Sequence, residues 1–134
     1  MMSKTFNDKL GVINILIVDD DEDTRYLYKK ILDNKEKYAV ELAENGMVGV
    51  DKYILHKPDV VIMDYQMPIL NGIKAMKMIL KFDENAKIIF ISGNNDIKKK
   101  AKLEGAYMFI LKPVPIRVLK SSIKSLVYIT EKIV

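Results

Sequence analysis

The residues that could do chemistry in this chain form one dense group and three singles. Asp19, Asp20, Asp21, Glu22 and Asp23 run together directly after the apolar stretch Ile13–Val18. Asp64 closes the run Val60–Met63, Ser92 closes Ile88–Ile91 and Lys112 closes Met108–Leu111. Asp19, Asp20 and Asp64, brought within a few ångströms of one another, would repel, and at least one would hold its proton more tightly unless a cation sat among them. Hard oxygen donors with no His or Cys beside them select Mg²⁺, or Mn²⁺, over zinc or copper. A Lys ammonium and a Ser hydroxyl facing such a cation would hold phosphate oxygens. The set therefore reads as a phosphoryl site, where catalysis is mainly positioning and charge neutralisation. The best nucleophile among these groups is a carboxylate, which would form an acyl phosphate.

Positioning these groups requires elements that end at one place. The four apolar runs are short and rich in Val and Ile, as strands buried on both faces are. Tyr38–Ala43 alternates and suits an edge or near-edge strand. Helical spacing appears between the strands: Thr24, Leu27 and Ile31 with Tyr28 and Leu32; Met47, Val50 and Ile54; Ile73, Met76 and Leu80; Ile97 and Ala101; and Leu119, Ile123, Leu126, Thr130 and Ile133. Asn45-Gly46, Asn71-Gly72, Ser92-Gly93 and Lys112-Pro113 punctuate the pattern, and Pro115 suits the first turn of the last helix. Five β-α units in succession predict a parallel sheet with helices on both faces and right-handed crossovers. Ligands of such sheets bind beyond the carboxyl ends of the strands, where the acidic, hydroxyl and ammonium groups fall.

Composition removes several alternatives. The chain has 134 residues, 49% of them apolar and 30% charged, with no Cys and a single His, His56. Disulfide scaffolds, thiol catalysis and multi-His metal sites are excluded. His56, before Lys57-Pro58, reads as a surface residue at a helix end. No apolar run approaches the ~18 residues of a membrane span, and residues 1–10 lack the apolar segment of a signal peptide. A cytoplasmic protein without a membrane partner is expected. The net charge of +4 comes mainly from Lys, with Arg25 and Arg117 the only arginines. Base-reading proteins lean on Arg, so direct nucleic-acid binding is not expected.

The strand-end motifs resemble the receiver domain of two-component response regulators, a flavodoxin-like phosphoacceptor module. The likeness rests on Ile15–Asp20, on Val60–Pro68 with Asn71-Gly72, on Ile88–Gly93 and on Phe109–Pro113, in order along nearly the whole chain. It implies an α/β, doubly wound (βα)5 fold with a five-stranded parallel sheet in the order 2-1-3-4-5. Asp64 matches the phosphoacceptor. Asp20, Asp64 and the main-chain carbonyl of Gln66 match the Mg²⁺ ligands, and Asp19 matches a second acidic residue acting through water. Lys112 matches the lysine that pairs with the phosphoryl group, Ser92 the hydroxyl that moves to a phosphoryl oxygen, and Phe109 the aromatic switch. Gln66 and Asn94 occupy positions that tune phosphoryl lifetime in the family.

The resemblance further implies a phosphohistidine donor, either a histidine kinase or a histidine phosphotransfer protein, and a downstream protein partner, with room for a phosphorylation-linked dimer. Such a protein catalyses its own phosphorylation and dephosphorylation and is not otherwise an enzyme. In the family the fourth helix, fifth strand and fifth helix form the partner surface, where Lys98, Lys99, Lys100, Lys102 and Met108 would fall. Residues 13–134 form the expected domain and residues 1–12 a flexible extension. Because no output domain fits after the last helix, a stand-alone regulator is expected.

Other functions fit these residues less well. A haloacid-dehalogenase-like phosphatase would use an Asp nucleophile in Asp19-Asp20-Asp21, but it lacks an acidic pair after the lysine: past Lys112 the only acidic residue is Glu131. A receiver fold used only for docking would not need the full set of Asp, Ser and Lys. Glu22 and Asp23 read as favourable charges at a helix start, and Asp21 is open between the two roles.

Overall fold

The computed structural model describes residues 11–34 and 36–133, with side chains described as far as Leu126. Residues 1–10 of the expected extension, and the side chains of Thr130 and Ile133, lie outside the described residues. Val12, placed in the extension by the sequence, is already buried beside the first strand.

Five strands, β1 (Ile13–Val18), β2 (Tyr38–Ala43), β3 (Val60–Asp64), β4 (Ile88–Ser92) and β5 (Met108–Leu111), alternate with five helices. These are α1 (Glu22–Leu32), α2 (Gly46–His56), α3 (Gly72–Phe82), α4 (Lys98–Leu103) and α5 (Ile116–Ile133), with a 3-10 turn at Asn95–Ile97 leading into α4. The sheet is parallel throughout in the order β2-β1-β3-β4-β5, the expected doubly wound fold.

Alternation along the strands builds two cores. Leu16, Val18, Val61, Met63, Ile88 and Phe90 pack beneath α2, α3 and α4. Their neighbours Ile15, Ile17, Val60, Ile62, Ile89 and Ile91 pack beneath α1 and α5. A strand that is apolar at every position is what a sheet covered on both faces requires. Strand β2 is an edge, as its mixed polarity indicated. Strand β5 is the other edge, contrary to the expectation of full burial: its residues are only half-buried and Leu111 is exposed. It pairs on one side only, and six-residue α4 covers it incompletely.

The helix starts follow from their caps. Asp21, Asn45 and Asn71 each accept a backbone N–H three residues on, from Thr24, Val48 and Lys74, at 2.9 Å. Pro115 stands just before α5 rather than inside its first turn, and its carbonyl accepts from Leu119 N at 3.1 Å.

Two helix faces differ from the spacing-based reading. On α1, Tyr28 and Leu32 are buried, but Leu27 is 52% exposed. On α2, Met47 and Ile54 are exposed, while Gly46, Gly49, Val50 and Tyr53 face inward. The cause on α2 is close approach. A Cβ at Gly49 would lie 2.8 Å from Val18 Cγ2, and one at Gly46 would lie within 2.2 Å of the Leu70 carbonyl oxygen. Helix α2 sits on the sheet through its glycines, so its larger apolar residues turn outward. Gly49→Ala is expected to destabilise the fold by ~1–3 kcal/mol through overpacking, despite the better helix propensity of Ala. Chemical denaturation measures this, and adding Val18→Ala should recover part of the loss.

Candidate functional site

Register alone brings the chemical groups to one rim. Val18 pairs with Met63, so Asp19 and Asp64 follow side by side on adjacent strands. Asp64 pairs with Ile91 and Ser92 with Leu111, and Lys112 N donates to Ser92 O at 2.9 Å. Asp19, Asp20 and Asp64 each offer a carboxylate oxygen, and these oxygens lie within 4.8 Å of one another. It is the one such acidic cluster among the described residues. A cleft of about 500 Å³ opens over it, lined by Asp20, Asp64, Gln66, Ser92, Gly93, Asn94 and Lys112. The structure thus assembles the expected site residues, with Gln66 exposed at the lip.

The electrostatics are unbalanced. Asp19 is 4% exposed and Asp64 7%, whereas Asp20 faces solvent. Burial, reinforced by the charges of Asp64 and Asp20 and opposed by Lys112 and a hydrogen bond from Asp21 N, pushes the Asp19 carboxyl up to about 6. Burial also raises Asp64, although Lys112 Nζ lies 3.0 Å from its Oδ1 and works against the shift. Burial lowers the Lys112 ammonium, but its bond to Asp64 and the charges of Asp64 and Asp19 outweigh that and hold it above the usual lysine value. One ammonium thus neutralises part of a three-carboxylate cluster. The donor set is oxygen only, with no nitrogen or sulfur ligand in the cluster, and this fits a hard divalent cation.

The supporting shell explains how the acids are held. Asp21 is the N-cap of α1 and is not part of the cluster, which settles the role the sequence left open. Its carboxyl accepts from Thr24 N and Oγ1, and these bonds hold it below the usual carboxylate value. Glu22 and Asp23 occupy the first helical turn as expected. Sequence reasoning missed Arg25, whose guanidinium donates to the Asp19 carbonyl at 2.6 Å and ties α1 to the end of β1. That it is one of only two arginines was the available signal.

Ser92 Oγ accepts from Asn94 N at 3.0 Å, and Asn94 Oδ1 accepts from Asp96 N at 2.9 Å. Phe109 is half-buried on the face below Ser92, its ring stacked on Phe90 with centroids 6.3 Å apart. Tyr65 meets the other side of Phe90 at 6.2 Å. The structure separates the expected partner-face residues. Lys98, Lys99, Lys100 and Lys102 are exposed on α4, but Met108 packs against the core of α1 and α5 on the opposite face of the sheet. Alternation along β5 requires this, since Phe109 takes the α4 side. His56 is not a bare surface residue: its Nδ1 lies 2.7 Å from Glu41 Oε1.

The loop after Asp64 carries a second unanticipated feature. Gly72 N donates to Tyr65 O, and a Cβ at Gly72 would collide with the Asp64 carbonyl. Between them Ile69 adopts φ +71° while 78% exposed. A β-branched residue in the left-handed region costs roughly 1–2 kcal/mol. Asn tolerates that region, so Ile69→Asn is expected to raise stability by ~0.5–1 kcal/mol, measurable by thermal or urea unfolding.

The raised acids give a pH signature. The folded state holds the Asp19 proton more tightly than the unfolded chain, so stability from this group is complete below pH 3.8 and lost as pH rises through about 6. Asp19→Asn should therefore flatten the metal-free stability profile over that window and gain up to ~3 kcal/mol above it. Millimolar Mg²⁺ should raise the melting temperature of the wild type near neutral pH and have less effect on the variant. Unfolding curves at a series of pH values, with EDTA or Mg²⁺, test both.

Comparison with known proteins agrees with this geometry. The model of the response regulator receiver domain matches residues 15–124. The chemotaxis protein CheY of Thermotoga maritima is 43% identical over 110 residues, covering 80% of this chain and 92% of that protein. A CheY-like receiver domain from Methanospirillum hungatei superposes with a TM-score of 0.84 at 29% identity, covering 90% of this chain and 98% of that one. The CheX–CheY complex of Borrelia burgdorferi with BeF3 and Mg²⁺ matches at TM-score 0.76 and 34% identity, covering 84% and 88%. Nothing in these likenesses supports the phosphatase alternative.

Proposed function

The chain belongs to the response regulator receiver family, and from that premise we propose that Asp64 is its phosphoacceptor, loaded from the phosphohistidine of a histidine kinase or histidine phosphotransfer protein. The observation that carries this reading is the cluster of buried Asp19 and Asp64 with exposed Asp20, in which Lys112 lies 3.0 Å from Asp64.

An Asp64 carboxylate oxygen attacks phosphorus in line with the P–N bond of the donor. As the new P–O bond forms, the imidazole leaves with the P–N electron pair and takes a proton. Asp64 suits the role because burial leaves its carboxylate poorly solvated, while Lys112 keeps it charged. Lys112 then moves from Asp64 Oδ1 to a phosphoryl oxygen, which carries the charge the carboxylate has given up. Asp20 and Asp64, with the Gln66 carbonyl and with Asp19 through water, would hold Mg²⁺, which when bound neutralises phosphoryl oxygens as charge develops. Ser92 Oγ accepts from Asn94 N, and its own proton can be donated to a phosphoryl oxygen. The catalysis extends only to the chain's own phosphorylation and dephosphorylation.

Output follows from the movement of Ser92. Its hydroxyl anchors the Asn94 cap of the turn into α4, two residues along β4 from Phe90, on which Phe109 stacks. A shift of the hydroxyl toward the phosphoryl group loosens the cap and frees space for Phe109 to turn inward. The exposed β5 edge, which includes Leu111, presents this change to a downstream protein. Residues 13–134 act as the receiver unit in this reading, with residues 1–12 preceding it. No helix among the described residues is long and apolar enough to cross a membrane.

Incubation with acetyl phosphate and Mg²⁺ should add one phosphoryl group, seen by mass spectrometry, and Asp64→Asn should abolish it. Undiminished labelling of that variant would overturn the assignment. Amide shifts on labelling should reach Ser92, Asn94, Phe109 and Leu111. Shifts confined to the rim would show that output leaves by another face.

A further inference from the structure

The α4 lysines that the sequence grouped with β5 also share a face of the sheet with α3. Helices α3 and α4 lie on the same face of the sheet, with Ile73, Met76, Ile79, Ile97 and Ala101 in one core cluster. Lys77 of α3 reaches Glu104 at the end of α4 at 3.6 Å. The outward stripe of α3 consists of Lys74, Lys77, Met78, Lys81 and Phe82, all exposed. On α4 the outward residues are Lys98, Lys99, Lys102 and Leu103, with Lys100 beside them. Neither helix contains an acidic residue. The acidic groups at its margins are Asp83 and Glu84 after α3, Asp96 before α4 and Glu104 after it, and Asp83 is engaged by the Tyr53 hydroxyl at 2.7 Å.

Set against the four acidic groups at its margins, these seven lysines give the face a balance of +3 out of the chain's overall +4, while in the remainder 15 Lys and Arg face 14 Asp and Glu. The positive excess of the molecule thus stands mainly on this face. Leu103, at 77% exposure, stands among the lysines of α4, and Met78 and Phe82, each a little under half exposed, flank those of α3. Phe82 meets Tyr53 and Lys57 on its α2 side.

We propose that the α3–α4 face docks on an anionic lipid surface, the lysines pairing with phosphate headgroups and Leu103, Phe82 and Met78 entering the headgroup boundary. The chemistry of the face selects among polyanions. Specific protein interfaces are enriched in Arg and depleted in Lys, and base readers use the planar fork of Arg; this face holds no Arg. A nucleic-acid backbone would satisfy the ammonium groups but leave the apolar side chains in water. A bilayer interface takes both, since clustered lysines are drawn to anionic headgroups and flanking apolar side chains bury into the acyl boundary. The expectation of no membrane partner rested on the lack of a spanning segment, and a peripheral contact needs none. The inference is independent of the phosphoryl chemistry: the face lies along the sheet, and the Asp64 rim opens at the strand ends.

Co-sedimentation of the full chain with vesicles tests it. Binding is expected to vesicles of phosphatidylglycerol and phosphatidylcholine, not to phosphatidylcholine alone, and high salt should reverse it. Replacing Lys98, Lys99, Lys100 and Lys102 by Gln, or Lys74, Lys77 and Lys81 by Gln, should each weaken binding at least about tenfold. Leu103→Ser, which leaves charge unchanged, should weaken it severalfold. All of these residues are exposed, so melting temperatures should stay near wild type. Absence of binding, equal binding to phosphatidylcholine alone, or undiminished binding by both lysine variants would overturn the proposal. A DNA duplex or polyglutamate displacing the vesicles at equal charge concentration would assign the face to nucleic acid or to an acidic protein instead.

Discussion

Two carboxylates buried at the end of an apolar sheet, with one ammonium to answer them, are the constraint around which the rest of this structure is arranged. Asp19 and Asp64 lie almost out of water, beside Asp20, and among the described residues Lys112 brings opposite charge into contact with Asp64. Burying an ionised carboxylate is costly unless it is paired, and here the pairing is deliberately incomplete. The residual repulsion is a standing affinity for positive charge. Burial first, and the charges of Asp64 and Asp20 after it, lift the Asp19 carboxyl, and the all-oxygen cluster fits a hard divalent cation.

A shortage of this kind survives only in a frame too rigid to relax it. The continuous apolar strands supply that frame, because their two-sided burial leaves β1, β3 and β4 no freedom to splay. The turns are locked as well. Arg25 holds the Asp19 carbonyl, Asp21 caps α1 while its N–H steadies the Asp19 carboxyl, and Gly72 closes the loop behind Asp64. At Ile69 the backbone accepts an unfavourable conformation in the same loop. The fold therefore stores its cost at the rim and recovers it in the cores. Local strain and crowded charge of this sort concentrate at functional sites.

Rigidity around the acids contrasts with the path leading away from them. Ser92, Asn94 and Asp96 are joined by single hydrogen bonds, and they lead into a helix of only six residues beside a half-buried edge strand. In the proposed switch, a displacement of the Ser92 hydroxyl acts on this path first, and the basic α3–α4 face begins directly beyond it.

How much of this was legible in the sequence follows from the range of the interactions involved. Strand identity, the parallel fold and the convergence of Asp19, Asp64, Ser92 and Lys112 depend on local apolar runs and on which residue ends each run, and both are written consecutively in the chain. The helix caps at Asp21, Asn45 and Asn71 depend on neighbours three residues away. What only the tertiary structure decided depends on contacts between distant segments. Helix α2 turns Met47 and Ile54 outward because its glycines must admit Val18 and the Leu70 carbonyl. Met108 leaves the lysines because Phe109 occupies the α4 side of β5. Lys74, Lys77 and Lys81 join Lys98–Lys102 in one face because consecutive crossovers lay α3 and α4 side by side on the sheet. The composition alone determined an excess of positive charge; packing determined that most of this excess would stand on one side of the sheet.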